Sequence, residues 1–139
     1  MFQLYYRTTE NTIQFDSLES LYLLPYLVRF GVRADCQLPW DDAVILEADR
    51  LSLFRDLLVE AFSSLARDCY VEPSVESRQK HSSRYQKISL NGKRYVVDYR
   101  SSRIGRLMFC LHQRITFWES IISEDGSIEL GASGLQLES

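Results

Sequence analysis

Three cysteines, two histidines and a few neighbouring carboxylates are the side chains of this 139-residue sequence best suited to catalysis or metal binding. Cys36, Cys69 and Cys110 are widely spaced with no CxxC, which reads as three reduced thiols in a cytoplasmic protein. Cys69 and Cys110 fall among apolar residues and are expected to pack as small hydrophobes. His81 and His112 form no HExxH. On a helix, Cys110 and His112 would point about 200° apart, a poor geometry for a nucleophile and its base. Asp41-Asp42 and Glu47 with Asp49 could hold a divalent ion, but acids gather this way at turns for other reasons. There is no GxSxG, no GxxxxGK[ST] and no GxGxxG. The expectation is a non-catalytic chain with no cofactor and no metal.

Charge departs further from even mixing than any other feature. Residues 1–77 hold six Lys/Arg and thirteen Asp/Glu, a balance of −7. Residues 78–118 hold ten Lys/Arg and one acid, Asp98, for +9. Residues 119–139 hold five acids and no Lys/Arg, for −5. The segments either interleave and neutralise one another, or keep separate faces that steer a partner. A basic face would carry Lys87, Arg94 and Arg100 at alternating strand positions and continue into Arg103 and Arg106 at a helix start. Free N–H groups at that start make Arg100-Ser-Ser-Arg103 a candidate anion pocket. An acidic face would carry Asp35, Asp41, Asp42 and Glu47 around Trp40, an exposed aromatic anchor for a basic protein. The competing reading packs Trp40 into the core.

Tyr99-Arg-Ser-Ser-Arg-Ile-Gly-Arg-Leu-Met108 resembles the acyl-CoA-binding turn of the GNAT acetyltransferase family, whose pattern is Arg/Gln-x-x-Gly-x-Gly/Ala. The resemblance implies backbone N–H groups that hold a pyrophosphate. Of the pattern's glycines only Gly105 is present: Arg103 takes the first glycine position if the motif starts at Arg100, and Arg106 takes it if the motif starts at Arg103.

The elements that must position these groups read as one α+β domain over residues 1–139, a mixed or mainly antiparallel sheet with about three helices packed on it. Phe2 to Arg7 is strand-like. Asp16-Ser-Leu-Glu19 is a capping pattern that opens a helix from Ser17 toward Phe30. Leu18, Leu21, Tyr22 and Val28 would form its buried stripe, Pro25 would kink or end it, and Gly31 suits the position after its end. The alternative over residues 17–33 is a helix to Leu24 followed by a strand. Ala43 to Glu47 reads as a buried strand. Asp49 is placed to cap a helix from Arg50 to about Arg67, with Leu51, Phe54, Leu58, Phe62 and Leu65 inward. Glu72 to Ser83 reads as an exposed loop. Asn91-Gly92 between two alternating runs predicts a β-hairpin with a two-residue turn, Leu90 opposite Lys93 and Ile88 opposite Tyr95. Its apolar face would carry Ile88, Leu90, Tyr95, Val97 and Tyr99, and its polar face Lys87, Ser89, Arg94, Asp98 and Arg100. Ser101 or Ser102 would cap a helix to about Ile122 with Ile104, Leu107, Met108, Leu111, Ile115 and Trp118 inward. Asp125-Gly126 turns into a short strand, Ser127 to Leu130, and Leu135 and Leu137 suggest an edge strand.

No run of eighteen apolar residues is present, so no membrane partner is expected. The first functional reading is a cytoplasmic protein that docks another protein by charge complementarity, as a bacterial immunity, antitoxin or inhibitor protein does to its toxin or other effector. The second is a nucleic-acid-associated subunit using the basic face over residues 78–106. The third is a small enzyme, such as a degenerate acyltransferase.

Overall fold

Leu4 and Tyr6 alternate with Gln3, Tyr5 and Arg7, the pattern of a strand with one buried face. In a computed structural model, which describes residues 2–9, 11–38, 40 and 42–133, these residues form β1 (Gln3–Arg7). The fold is α+β with antiparallel sheets. Its internal contacts group into two compact units, residues 1–57 with 117–139, and residues 58–116. The divisions fall inside the two long helices α2 (Asp49–Cys69) and α4 (Arg103–Ser123), which contribute residues to both.

The first unit is built on a four-stranded sheet. Its order is β2 (Thr12–Gln14), β1, β6 (Ser127–Ser133), β3 (Val44–Glu47). β1 pairs with β6 from Gln3↔Ser133 to Arg7↔Glu129, and β3 pairs with β6 from Val44↔Leu130 to Glu47↔Ser127. β6 is therefore longer than the expected Ser127 to Leu130, and it lies inside the sheet. Pairing with β1 supplies the partners that its Gly131-Ala-Ser stretch could not advertise by hydrophobic pattern. β2 was not anticipated; it is a three-residue edge with little burial. Leu4, Tyr6, Leu46, Ile128 and Leu130 are buried. Trp118 is fully enclosed, its ring stacked on Phe54 at 5.0 Å and edge-on to Tyr6 at 5.2 Å.

Helix α1 runs Ser17–Arg33 as one helix with Pro25 inside, which excludes the helix-plus-strand alternative. The expected capping box is present: Asp16 accepts from the Leu18 N–H at 2.8 Å and Glu19 accepts from the Asp16 N–H at 3.1 Å. The expected stripe is wrong. Leu23, Leu27 and Phe30 are buried, whereas Leu21 is 60% and Val28 51% exposed. Gly31 does not follow the helix; it is buried within it, and Asp35 takes the left-handed conformation beyond the end (φ 55°). Asp49 does not cap α2 either. It stands in the first turn, while the Ala48 carbonyl accepts the first helical bond from the Ser52 N–H at 3.2 Å. Leu51, Phe54, Leu58, Phe62 and Leu65 are buried as expected.

The second unit is organised by the hairpin β4 (Tyr85–Leu90) and β5 (Lys93–Asp98). Its register is the expected one, with Ile88↔Tyr95 and Leu90↔Lys93, and Asn91 and Gly92 both have positive φ (52° and 77°). β5 ends at Asp98, so Tyr99 and Arg100 lie in the following turn. The apolar face packs through Ile88 and Val97, with Tyr95 edge-on to Phe62 and Tyr70 at 5.4 and 5.1 Å. The outer edge of β5 is closed by one side chain. The Tyr70 hydroxyl accepts from the Val96 N–H at 3.0 Å and donates to the Val96 carbonyl at 3.2 Å. Glu72 to Ser83 is not all loop: Ser74 caps a six-residue helix α3 (Val75–Lys80), followed by a 3-10 turn, Ser82–Arg84. In α4, Leu107, Met108, Leu111, Ile115 and Trp118 are buried as expected, with Ile104 half-buried. Leu135 and Leu137 lie outside the described residues.

Gly105, in the first turn of α4, lies so close to β5 that a methyl group there would run into the Asp98 backbone. In an open helix Gly→Ala adds about 1 kcal/mol of stability. Here Gly105→Ala should instead destabilise by about 1–3 kcal/mol, because the obstacle is backbone. Urea unfolding measures the sign, and a gain in stability would refute this packing. Ile88→Asp should abolish the cooperative transition by burying an unpaired charge.

Candidate functional site

The hairpin register places Tyr85, Lys87 and Ser89 of β4 on one face with Arg94, Val96 and Asp98 of β5. Lys87 stands opposite Val96 and Ser89 opposite Arg94, so the two cations are diagonal neighbours, and both are exposed. Asp98 is the one acid on this face and it is turned inward. Its carboxylate pairs with Arg84 at 3.2 Å and accepts from the Arg100 and Ser101 N–H groups at 3.2 and 2.8 Å. Its carbonyl accepts from Ser102 N–H at 3.3 Å. Among the described residues, Lys87, Arg94 and Arg103 form no ion pair. Arg100 is exposed with its guanidinium 5.6 Å from the Tyr99 ring, and Arg106 is exposed.

These contacts engage three of the four N–H donors of the anion pocket expected at Arg100-Ser-Ser-Arg103: those of Arg100 and Ser101 go to the Asp98 carboxylate and that of Ser102 to the Asp98 carbonyl. The donors that follow are also used. Gly105 N–H donates to Ser102 Oγ at 3.1 Å and Arg106 N–H to the Ser102 carbonyl at 2.9 Å. The glycine behind the acyl-CoA-turn resemblance is thus explained by the close approach of α4 to β5.

The acidic set is placed differently from the expected ring around an exposed Trp40. Trp40 is only 7% exposed and its Nε1 donates to the Cys36 carbonyl at 2.6 Å, so it is a core residue and not a surface anchor. Asp35, Asp42 and Glu47 are exposed, and Asp41 lies outside the described residues. Glu47 instead joins Asp49 and Asp125 around a depression of about 450 Å³, which Asp35 and Asp42 do not line. Left-handed residues at Ala48 (φ 49°) and Asp125 (φ 53°) turn the chain there. Among the described residues no group of His, Cys, Asp and Glu is arranged to hold a metal ion.

Charge segregates with the two units. Residues 58–116 carry eleven Lys/Arg and five Asp/Glu, a formal +6. Residues 1–57 with 117–139 carry five Lys/Arg and fourteen Asp/Glu, a formal −9. Ion pairs within the units are Arg7–Glu129 and Arg55–Asp56 in the first and Arg67–Asp68 and Arg84–Asp98 in the second.

A second polar feature of the basic unit escaped sequence reading, because α3 was read as loop. Arg78, Gln79 and Ser82 face Tyr85, Lys87 and Val96 across a groove of about 470 Å³. The signal was Ser74, whose hydroxyl accepts from Ser77 N–H at 3.1 Å.

The histidines have local roles. His81 is exposed at the end of α3, and His112 Nε2 lies 3.0 Å from the Ser89 carbonyl, where the protonated nitrogen donates. All three cysteines are free thiols as expected, but Cys69 is exposed and not packed, while Cys110 and Cys36 are half-buried. Burial pushes the Cys36 thiol above its ordinary value, against the opposing pull of Arg50. Neutral Cys36 is thus favoured in the folded state, and its stabilising effect is lost as pH rises through the thiol range. Iodoacetamide at pH 8 should modify Cys69 first and Cys36 well behind it, as read by peptide mass spectrometry; equal rates would contradict the burial of Cys36. Among protein-family models, curated proteins and solved structures, none matches this chain.

Proposed function

We propose that this is a non-catalytic binding protein that docks an acidic partner protein on the polar face of its hairpin. Lys87 and Arg94 form the centre of that surface, and Arg100, Arg103 and Arg106 extend it. One observation carries the reading: the unit is strongly cationic, and the only acid on the hairpin face, Asp98, is consumed by Arg84 and by the turn that follows β5. Cations without local counter-charges, here Lys87, Arg94 and Arg103, raise association rates and select partners of opposite sign. The immunity, antitoxin or inhibitor class fits such a protein, since covering a partner's working surface needs about 800 Å² per side and no chemistry of its own.

A protein partner is favoured over nucleic acid by the state of Tyr85. Binding single strands by stacking needs a row of aromatic faces for successive bases. Tyr85 is the one aromatic on the hairpin's polar face; it is half-buried, its hydroxyl is 2.7 Å from Ser77 Oγ, and the Arg84 guanidinium lies 5.7 Å from its ring centre. The acidic surface is the weaker candidate, because Trp40 is buried.

Reversing Lys87, Arg94 and Arg103 to Glu tests the reading. All three are exposed, so the melting temperature should move by no more than a few degrees. The tagged wild-type chain should retain an acidic protein in its native cells at about 0.1 M salt and lose it at higher ionic strength. The triple variant should lose it at low salt, whereas Asp42→Lys should not. Retention by the triple variant, or a gel shift with generic RNA or DNA at the same salt, would overturn the proposal.

A further inference from the structure

The groove between α3 and the hairpin has a composition that the docking reading does not use. α3 is tied to β4 through the Ser77 and Tyr85 hydroxyls, 2.7 Å apart. The groove beside that contact, about 470 Å³, presents two cations, Arg78 and Lys87, with the Gln79 amide and the Ser82 hydroxyl. Val75, Val96 and the Tyr85 ring supply its apolar wall, and no carboxylate lines it. Val75 is 61% exposed, an apolar side chain left in water at the mouth.

The Arg78 Nε–H is buried and meets no acceptor, so the donors Arg78 can turn to a ligand in the groove are its terminal guanidinium N–H groups. Asp98 cannot serve as their acceptor, since Arg84 and the turn N–H groups hold its carboxylate. The Tyr85 hydroxyl is engaged by Ser77, so the ring is what the groove can use.

We propose that this groove binds a phosphate monoester whose dianion lies between Arg78 and Lys87 and whose ester group rests on Val75, Val96 and the Tyr85 ring. A carboxylate would supply one charge to two cations. A phosphate monoester carries close to two negative charges at neutral pH and three acceptor oxygens, matching two cations, an amide and a hydroxyl. The guanidinium fork of Arg78 suits phosphate geometry, and Lys87 acts as the compact second charge. An inorganic phosphate would leave the apolar wall uncovered, so an aryl ester should bind more tightly. The monoester can be a free small molecule or a phosphorylated tyrosine of a protein; the binding chemistry is the same. The inference does not rest on the docking reading, although the groove shares Tyr85, Lys87 and Val96 with the hairpin's polar face.

Titration calorimetry on the full chain at pH 7.5 and about 0.1 M salt tests it. Phenyl phosphate should bind more tightly than inorganic phosphate and benzoate. Arg78→Gln should weaken phenyl phosphate about tenfold or more, Arg78→Lys should retain part of the affinity, and Lys93→Gln, on the other face of the hairpin, should change it by less than about twofold. Melting curves without ligand confirm that each variant folds. Affinity should also fall below about pH 6, where the phosphate loses its second charge. A phosphotyrosyl peptide that binds more tightly than phenyl phosphate points to a protein source, and equal affinities point to a free monoester. Undetectable binding of phenyl phosphate by the folded wild type, binding no tighter than that of benzoate, or an affinity untouched by Arg78→Gln overturns the proposal. Failure of the wild-type chain to retain an acidic protein, with monoester binding intact, would count against the docking reading alone.

Discussion

The position of Asp98 governs the chemistry of the basic unit. It is the only acid between Arg78 and Trp118, and both its carboxylate and its carbonyl are used within the chain. The carboxylate holds Arg84 and ties down the turn after β5, and the carbonyl meets the first residues before α4. Gly105 then lies against the same backbone, which brings the helix start close to the end of the strand. One residue therefore shapes the strand-to-helix corner and is removed from the surface as a counter-charge. Had Asp98 faced solvent, Lys87 and Arg94 would share their face with a carboxylate and the surface would lose much of its sign.

The same economy runs through the rest of the unit. The β5 edge, a hazard in any two-stranded sheet, is closed by the Tyr70 hydroxyl, which meets both backbone groups of Val96. His112 does the corresponding work at the Ser89 carbonyl of β4. Polar side chains that sequence inspection would examine for catalysis or stacking, His112, Tyr70 and Tyr85, are spent on holding the hairpin. What remains outward is the row of Lys and Arg side chains and the α3 groove.

Legibility in the sequence followed how local each interaction is. The hairpin was readable to the register because Asn91-Gly92 satisfies a turn that admits few residues, and the alternation on both sides agrees with it. The stripes of α2 and α4 were readable because each helix has one apolar face. α1 misled because it has two: Leu21, Val28 and Val32 are apolar and exposed opposite Leu23, Leu27 and Phe30, so periodicity could not say which side is covered. β2 and the Gly131-Ala-Ser end of β6 carry no hydrophobic signal and exist through pairing with β1. Of the candidate site residues, Lys87 and Arg94 came together through short-range register. Trp40 and the turn at Arg100 were decided by contacts that no spacing rule contains.

Local steric and capping rules, acting on neighbours in the chain, were enough to determine the antiparallel hairpin, the Asp16 cap, the long amphipathic helices and the uneven distribution of charge. Tertiary structure alone decided which face of α1 is buried, that Trp40 is core, that Asp98 turns inward and that α3 lies against the hairpin to form a groove. The physical reason is that these outcomes depend on desolvation and on hydrogen-bond partners many residues away. A side chain's own type states what it could bind, and its burial and its neighbours settle whether it is free to do so.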